Sequence, residues 1–173
     1  MSRPTAFWDA SALVPLCVHE TASRKAQLHL RKSAPVVWWG SLVEVHSAIA
    51  RLHRLGKLKD SEKQGALSRL NMLARGWKEI LPGDHLRDLA VQLLDIYDLR
   101  AADSLQLAAA MIWCQQRPLK RTLVCGDQRL SKAAGSAGFS IVEISAKLIW
   151  RARTSPRSAR SSYESIRNST PYK

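Results

Sequence analysis

The stretch Leu99-Arg-Ala-Ala-Asp103-Ser-Leu-Gln-Leu-Ala-Ala-Ala-Met111 decides how the rest of the chain is read. On a helical wheel, Ala101 to Gln116 is apolar in nearly every direction, and Asp103, Ser104 and Gln106 interrupt it before the closing glutamines. A helix apolar all round is a buried one, so this helix is expected in the middle of the fold. A carboxylate in its first turn is then costly: an isolated buried anion pairs, takes a proton or binds a cation. A structural reading stands beside that one. Asp103-x-x-Gln106 fits a capping box, and the backbone dipole favours an anion at a helix start. The surrounding pattern has to decide between them.

Upstream, Phe7-Trp8 reads as a short buried strand ending at Asp9, followed by a helix over Ala10 to Val18 bent near Pro15 and a second from Thr21 to Lys32. Val36-Val-Trp-Trp39, bounded by Pro35 and Gly40, is a second strand. The next helix runs from Ser41 to Leu55, with Leu42, Val45, Ala48, Ile49, Leu52 and Leu55 on one arc and Glu44 at its rim. Ser61-x-x-Gln64 opens a partner helix, and the two are expected to form a helical hairpin insertion. Glu79-Ile-Leu81 is a weak strand, and a helix over about 84–97 precedes the central one. Downstream, Thr122-Leu-Val-Cys125 is a clean strand ending at Gly126-Asp127, then come a short helix to Gly135 and a last strand, Phe139 to Ile144. Strands alternating with helices predict an α/β fold with a doubly wound, mainly parallel sheet flanked by helices.

The chain has 173 residues, enough for one domain with a real core. It carries 27 Lys+Arg against 14 Asp+Glu, a net charge of +13. A surplus of this size suits an anionic partner such as nucleic acid, or a membrane surface, and supplies phosphate affinity without sequence specificity. From Lys147 onward there are seven basic residues and one acid, Glu164, which leaves +7 on residues 1–146. We therefore divide the chain into a main domain, 1–146, and a Ser/Arg-rich basic C-terminal extension, 147–173, read as flexible. Three cysteines without a CxxC, each in an apolar run, read as buried free thiols of a reducing compartment. His46 and His53 stand seven residues apart, about 10 Å of helical rise, too far to chelate one ion. Asp9 and Pro15 break the only apolar stretch near the N-terminus, and no run is long enough for a membrane span. The expectation is a cytoplasmic protein without a membrane partner.

Asp9, Glu44, Asp103 and Asp127 all sit where strands end or helices begin. In open parallel sheets, functional sites gather beyond the carboxyl ends of strands. Helix caps gather there too. Asp9-x-Ser11 fits an Asx turn, Gly126-Asp127 fits an N-cap, and Glu44 fits a solvated helix rim.

The surroundings of these acids carry a family resemblance. Phe7-Trp8-Asp9-Ala10-Ser11-Ala12-Leu13-Val14 resembles the opening motif of PIN-domain ribonucleases, and Leu42-Val43-Glu44-Val45 their second. Leu99 to Ala110 around Asp103 resembles the third, and Leu123-Val-Cys125-Gly-Asp127-x-Arg-Leu130 the fourth. Order and spacing hold from about Thr5 to Ile144, and the size is similar to VapC-type toxins of bacterial toxin–antitoxin pairs. The resemblance implies an endoribonuclease that hydrolyses RNA with metal-activated water, using one or two Mg²⁺ or Mn²⁺ ions. It implies that Asp9, Glu44 and Asp103 hold the primary metal, that Asp127 completes the site or helps bind a second ion, and that Ser11 orients the acids. It implies a cognate antitoxin over the acidic pocket and a homodimer. Arg100, beside the central acid, reads either as a contact to substrate phosphate or as a carboxylate partner. Family members usually carry Thr or Ser where this chain has Cys125, and a thiol is the poorer hydrogen-bond partner for Asp127.

The chemistry points the same way. Converging carboxylates raise one another's pKa, and a hard dication with oxygen ligands removes that repulsion and activates water. The rival class is a PIN-fold module that binds RNA or protein without cutting. A haloacid-dehalogenase-type phosphatase also begins with an acid after its first strand, but it needs a second carboxylate two residues on, where this chain has Ser11.

Overall fold

Thr5-Ala-Phe-Trp8 is the only early stretch apolar enough to be buried on both faces, and it becomes the middle strand of the sheet. In the computed structural model, which describes residues 3–144, Phe7 and Trp8 are completely buried. The elements run β1 (Thr5–Trp8), α1 (Ala10–Cys17), α2 (Ser23–Lys32), β2 (Ala34–Trp38), α3 (Ser41–Arg54), α4 (Asp60–Ala74) and β3 (Lys78–Ile80). They continue with α5 (Asp84–Ile96), α6 (Ala101–Trp113), β4 (Thr122–Cys125), α7 (Gln128–Ala137) and β5 (Ser140–Glu143). The extension expected over 147–173 lies outside the described residues.

All four strand pairings are parallel, in the order β3-β2-β1-β4-β5. The chain winds outward from β1 through β2 to β3, then crosses back to β4 on the other side of β1 and on to β5. The sheet is therefore doubly wound, as expected, and its winding reverses between β1 and β4. At such a switch point the connections leave in opposite directions and open a crevice beyond the strands' carboxyl ends.

Because strand side chains alternate between faces, adjacent residues of one strand serve different cores. Trp8, Val37 and Val124 face a layer built by α1, α3 and α4, through Leu13, Val45, Ile49, Ala66 and Leu70. Phe7, Val36 and Leu123 face α5, α6 and α7, through Leu93, Leu107, Ala109, Leu130 and Ala134. The α3–α4 hairpin is present, and it is part of the first layer rather than an outlying lobe. Helix α6 is apolar all round because β2 lies beneath it while α5 and α7 cover its flanks; Leu107 to Ala110 are completely buried.

Some boundaries differ from the sequence reading. α4 starts at Asp60 rather than Ser61, with the Lys59 N–H donating to the Glu62 carboxylate at 2.7 Å. Trp39, expected in the core of β2, lies past the strand's end and is 49% exposed. Leu42 and Leu55, expected on the buried arc of α3, sit in its first turn and at its C-cap, beyond the packed middle, and are both exposed. Cys17, Cys114 and Cys125 are free and buried, as expected. No described helix is long and apolar enough to cross a membrane.

Candidate active site

Asp9 is the first residue past β1 and the N-cap of α1. Its Oδ2 accepts from the Ser11 N–H at 2.9 Å and from the Ser11 hydroxyl, and the Cys125 Sγ lies 3.6 Å away. Among the described residues its Oδ1 has no hydrogen-bond partner. The residue is 5% exposed. Burial pushes its carboxyl above the ordinary value, the Ser11 and Cys125 bonds oppose that, and the charge of Asp103 adds to it.

Ser11 ties this cap to the next strand, for its Oγ accepts from the Gly126 N–H at 2.7 Å. Close approach favours glycine at 126: a Cβ there would lie 3.0 Å from the Ile144 carbonyl oxygen and 3.1 Å from Ser11 Oγ. Cys125 closes the same knot. Its Sγ accepts from the Asp127 N–H at 3.2 Å and lies 3.3 Å from the Asp127 carbonyl oxygen. Burial and the charge of Asp9 push the thiol up to about 12, so it keeps a proton to share. The sulfur therefore serves Asp9 and the Asp127 backbone, while the Asp127 carboxylate has other support. As N-cap of α7, its Oδ1 accepts from the Arg129 and Leu130 N–H groups at 2.8 and 2.9 Å.

Glu44 stands in the first turn of α3, half-buried rather than solvated at the rim. Its Oε2 accepts from Gln106 Nε2 at 3.2 Å, and the same nitrogen lies 3.2 Å from the buried Ser41 Oγ. Burial first, and then the charges of Asp9 and Asp103, raise the Glu44 pKa to about 7 against the opposing Gln106 bond.

Asp103 is not the N-cap but the third residue of the helix, and its carboxyl accepts from the Arg100 backbone N–H. Helix α6 begins at Ala101 with Arg100 as its N-cap, so the expected Asp103–Gln106 box does not form and Gln106 turns to Glu44 instead. Burial and the charge of Asp127 raise the Asp103 carboxyl, opposed by the Arg100 backbone N–H and by the charges of Arg100 and Arg129. Arg100 itself is exposed, and its charge favours the ionised form of Asp103.

The four acids thus lie in one electrostatic neighbourhood, because Asp103 acts on Asp9 and Glu44, Asp9 acts on Glu44, and Asp127 acts on Asp103. They are not drawn into a closed cage: among the described residues no three Asp, Glu, His or Cys side chains stand close enough to hold an ion between them. No ion pair to Lys, Arg or His engages any of the four among the described residues. Asp9, Glu44 and Asp127 each commit one oxygen to the protein, and the other has no hydrogen-bond partner among the described residues. Hard oxygen donors with surplus negative charge fit a Mg²⁺-like ion in kind.

Gln106 and Gly126 are the supporting residues whose roles the sequence did not reveal. The signal for Gln106 was visible, as a polar residue in an otherwise apolar helix, but it was assigned to the wrong partner. Gly126 gave no signal beyond its place after a strand.

No family model matches the chain, and no curated protein matches it. Its fold is the PIN-like α/β fold. Among solved structures it is similar to a toxin–antitoxin complex from Klebsiella pneumoniae, at 17% identity and a TM-score of 0.52, over 81% of this chain and 98% of that one. FitAcB from Neisseria gonorrhoeae matches at 14% identity and 0.57, over 81% and 98%. VapBC2 from Rickettsia felis, bound to a DNA fragment from its promoter, matches at 11% identity and 0.56, over 80% and 98%.

Proposed function

We propose that this protein is a divalent-metal-dependent endoribonuclease, the toxin of a toxin–antitoxin pair. The observation that carries the reading is Asp9: a buried carboxylate, 5% exposed, at the switch point, held by Ser11 and Cys125 and lying within the fields of Asp103 and Glu44. Such a group is tolerable when a proton or a metal offsets it. Asp9, Glu44 and Asp103 would hold Mg²⁺ or Mn²⁺, with Asp127 completing the site. When bound, the ion neutralises the acids, makes water a better nucleophile and offsets charge on the phosphate.

The chain's own groups then have defined work. Ser11 and the Cys125 thiol hold Asp9 through one oxygen, Gln106 holds Glu44, and the first amides of α7 hold Asp127. Arg100, exposed at the start of α6, would meet a phosphate of the substrate in this reading. The net charge of +13 supplies non-specific affinity for RNA. The partner reading is a cognate antitoxin over the acids, supported by the toxin–antitoxin complex of similar structure; a homodimer and a cytoplasmic location belong to the same proposal.

The test is Mg²⁺-dependent cleavage of RNA by purified protein. Asp9→Asn and Asp103→Asn are expected to abolish it without unfolding the chain. Full activity in either variant refutes the reading. One alternative is a PIN-fold module that binds RNA or protein without cutting; among the described residues no three acidic, His or Cys side chains form a closed cage. RNA bound but uncut throughout a Mg²⁺ titration would select that alternative.

A further inference from the structure

Beside the acids, between α1 and α3, runs an open groove of about 460 Å³. Val14, Pro15, Leu52 and Ile144 make its apolar walls, and Glu20 and Glu44 are its acids. Burial raises the Glu20 carboxyl, and no Lys, Arg or His pairs with it among the described residues. Arg51 is the one base among the described lining residues. Ile144, the last described residue, is itself a wall of the groove and is held there by its N–H donating to the Cys125 carbonyl at 2.7 Å.

We propose that this groove is the docking site of the chain's own basic extension, the segment from Ala146 to Arg160. Its order of residues matches the groove. Leu148-Ile-Trp150 comes first, suited to the apolar walls, and Arg151, Arg153, Arg157 and Arg160 follow with no acid among them. Trp150 lies six residues past Ile144, a span of at most about 20 Å, so the segment starts at the groove and does not have to travel to it. Tethering raises its local concentration to about the millimolar range, so contacts too weak for a separate peptide suffice. A docked extension sets its cations against Glu20 and Glu44 and along the edge of the acidic crevice. The assignment does not depend on the nuclease reading, since it concerns who fills the groove and not what the acids catalyse.

Disulfide trapping in the full-length chain tests it. Ala48→Cys, inside the groove, is paired with Ala152→Cys in the extension. The control is Gln128→Cys with Ala152→Cys: Gln128 is exposed and stands two residues after Gly126, whose Cα lies against Ile144, but it belongs to the opposite helix layer. The 48–152 disulfide is expected to form within one chain about tenfold faster than the 128–152 disulfide. Arg151→Glu with Arg153→Glu is expected to erase that preference, as is about 1 M salt, where screening reaches about 3 Å. Equal rates for the two pairs overturn the assignment. So does a 48–152 bond that survives charge reversal, or one found only between two chains, which would make a second copy the occupant.

Discussion

The two ends of the sheet spend their instability in different ways. At the carboxyl end the backbone is relaxed: Asp9, Arg100 and Asp127 have φ of −71°, −85° and −89°. What is unfavourable there is charge, with buried and half-buried acids raising one another. At the amino end, the connection from α6 to β4 is the reverse. Gln115, Gln116 and Lys120 take left-handed φ of 52°, 56° and 62°, and its bases Arg117, Lys120 and Arg121 are exposed to water. Arg121 rests 5.7 Å from the centre of the Trp113 ring. Strained backbone often marks a functional site, yet here it marks a tight turn. Charge strain is relieved by a proton or a cation, backbone strain only by a change of residue, so the acidic end is the one that can respond to a ligand.

The largest expected effect is at the charged end. Asp9→Asn should lower Mg²⁺-dependent RNA cleavage by more than about a hundredfold, since even partners that only orient a metal ligand are worth about 10–100-fold. Asparagine still caps a helix, so far-UV circular dichroism should be unchanged. Gln106→Leu keeps the volume of α6 but releases Glu44, and a loss of about 10–100-fold in cleavage is expected. Gly126→Ala should cost about 1–3 kcal/mol in urea unfolding, because the new methyl group meets the Ile144 carbonyl and Ser11.

A smaller effect concerns pH. Glu44, raised from 4.5 to about 7, holds its proton more tightly in the folded chain than in the unfolded one. Protonation therefore favours folding, and stability falls as pH rises between those values. Asp9 and Asp103, raised from 3.8, act with the same sign. Without divalent metal, the melting temperature should be higher at about pH 5 than at about pH 8, and Glu44→Gln should flatten the difference. The smallest effect is at the other end. Gln116→Gly should stabilise the fold by about 0.5–1 kcal/mol and leave cleavage untouched. If it altered cleavage as much as Gln106→Leu, the contrast between the two ends would fail.

Much of this was legible in residue order. Short apolar runs ending in Asp9 and in Gly126-Asp127 located β1 and β4, and the same residues suggested both helix caps and chemistry. The structure joins those two readings, since one oxygen of each carboxylate caps and the other has no partner among the described residues. Asp103 was harder, because the box with Gln106 is a sound local pattern and only tertiary packing draws Gln106 to Glu44. The exposure of Trp39 had the same origin: composition made it a strand residue, and β2 stops one residue earlier. The order β3-β2-β1-β4-β5 was not contained in any local pattern, because pairing between distant strands depends on how the helix layers cover the sheet.

The most direct measurement is an anomalous difference map from a crystal of the full-length chain soaked in Mn²⁺. The account predicts a peak beyond the ends of β1 and β4, bonded by carboxylate oxygens of Asp9 and Asp103 and lost in Asp9→Asn. A map without a peak there, with Asp9 and Asp127 engaged only by their helix amides, would contradict it.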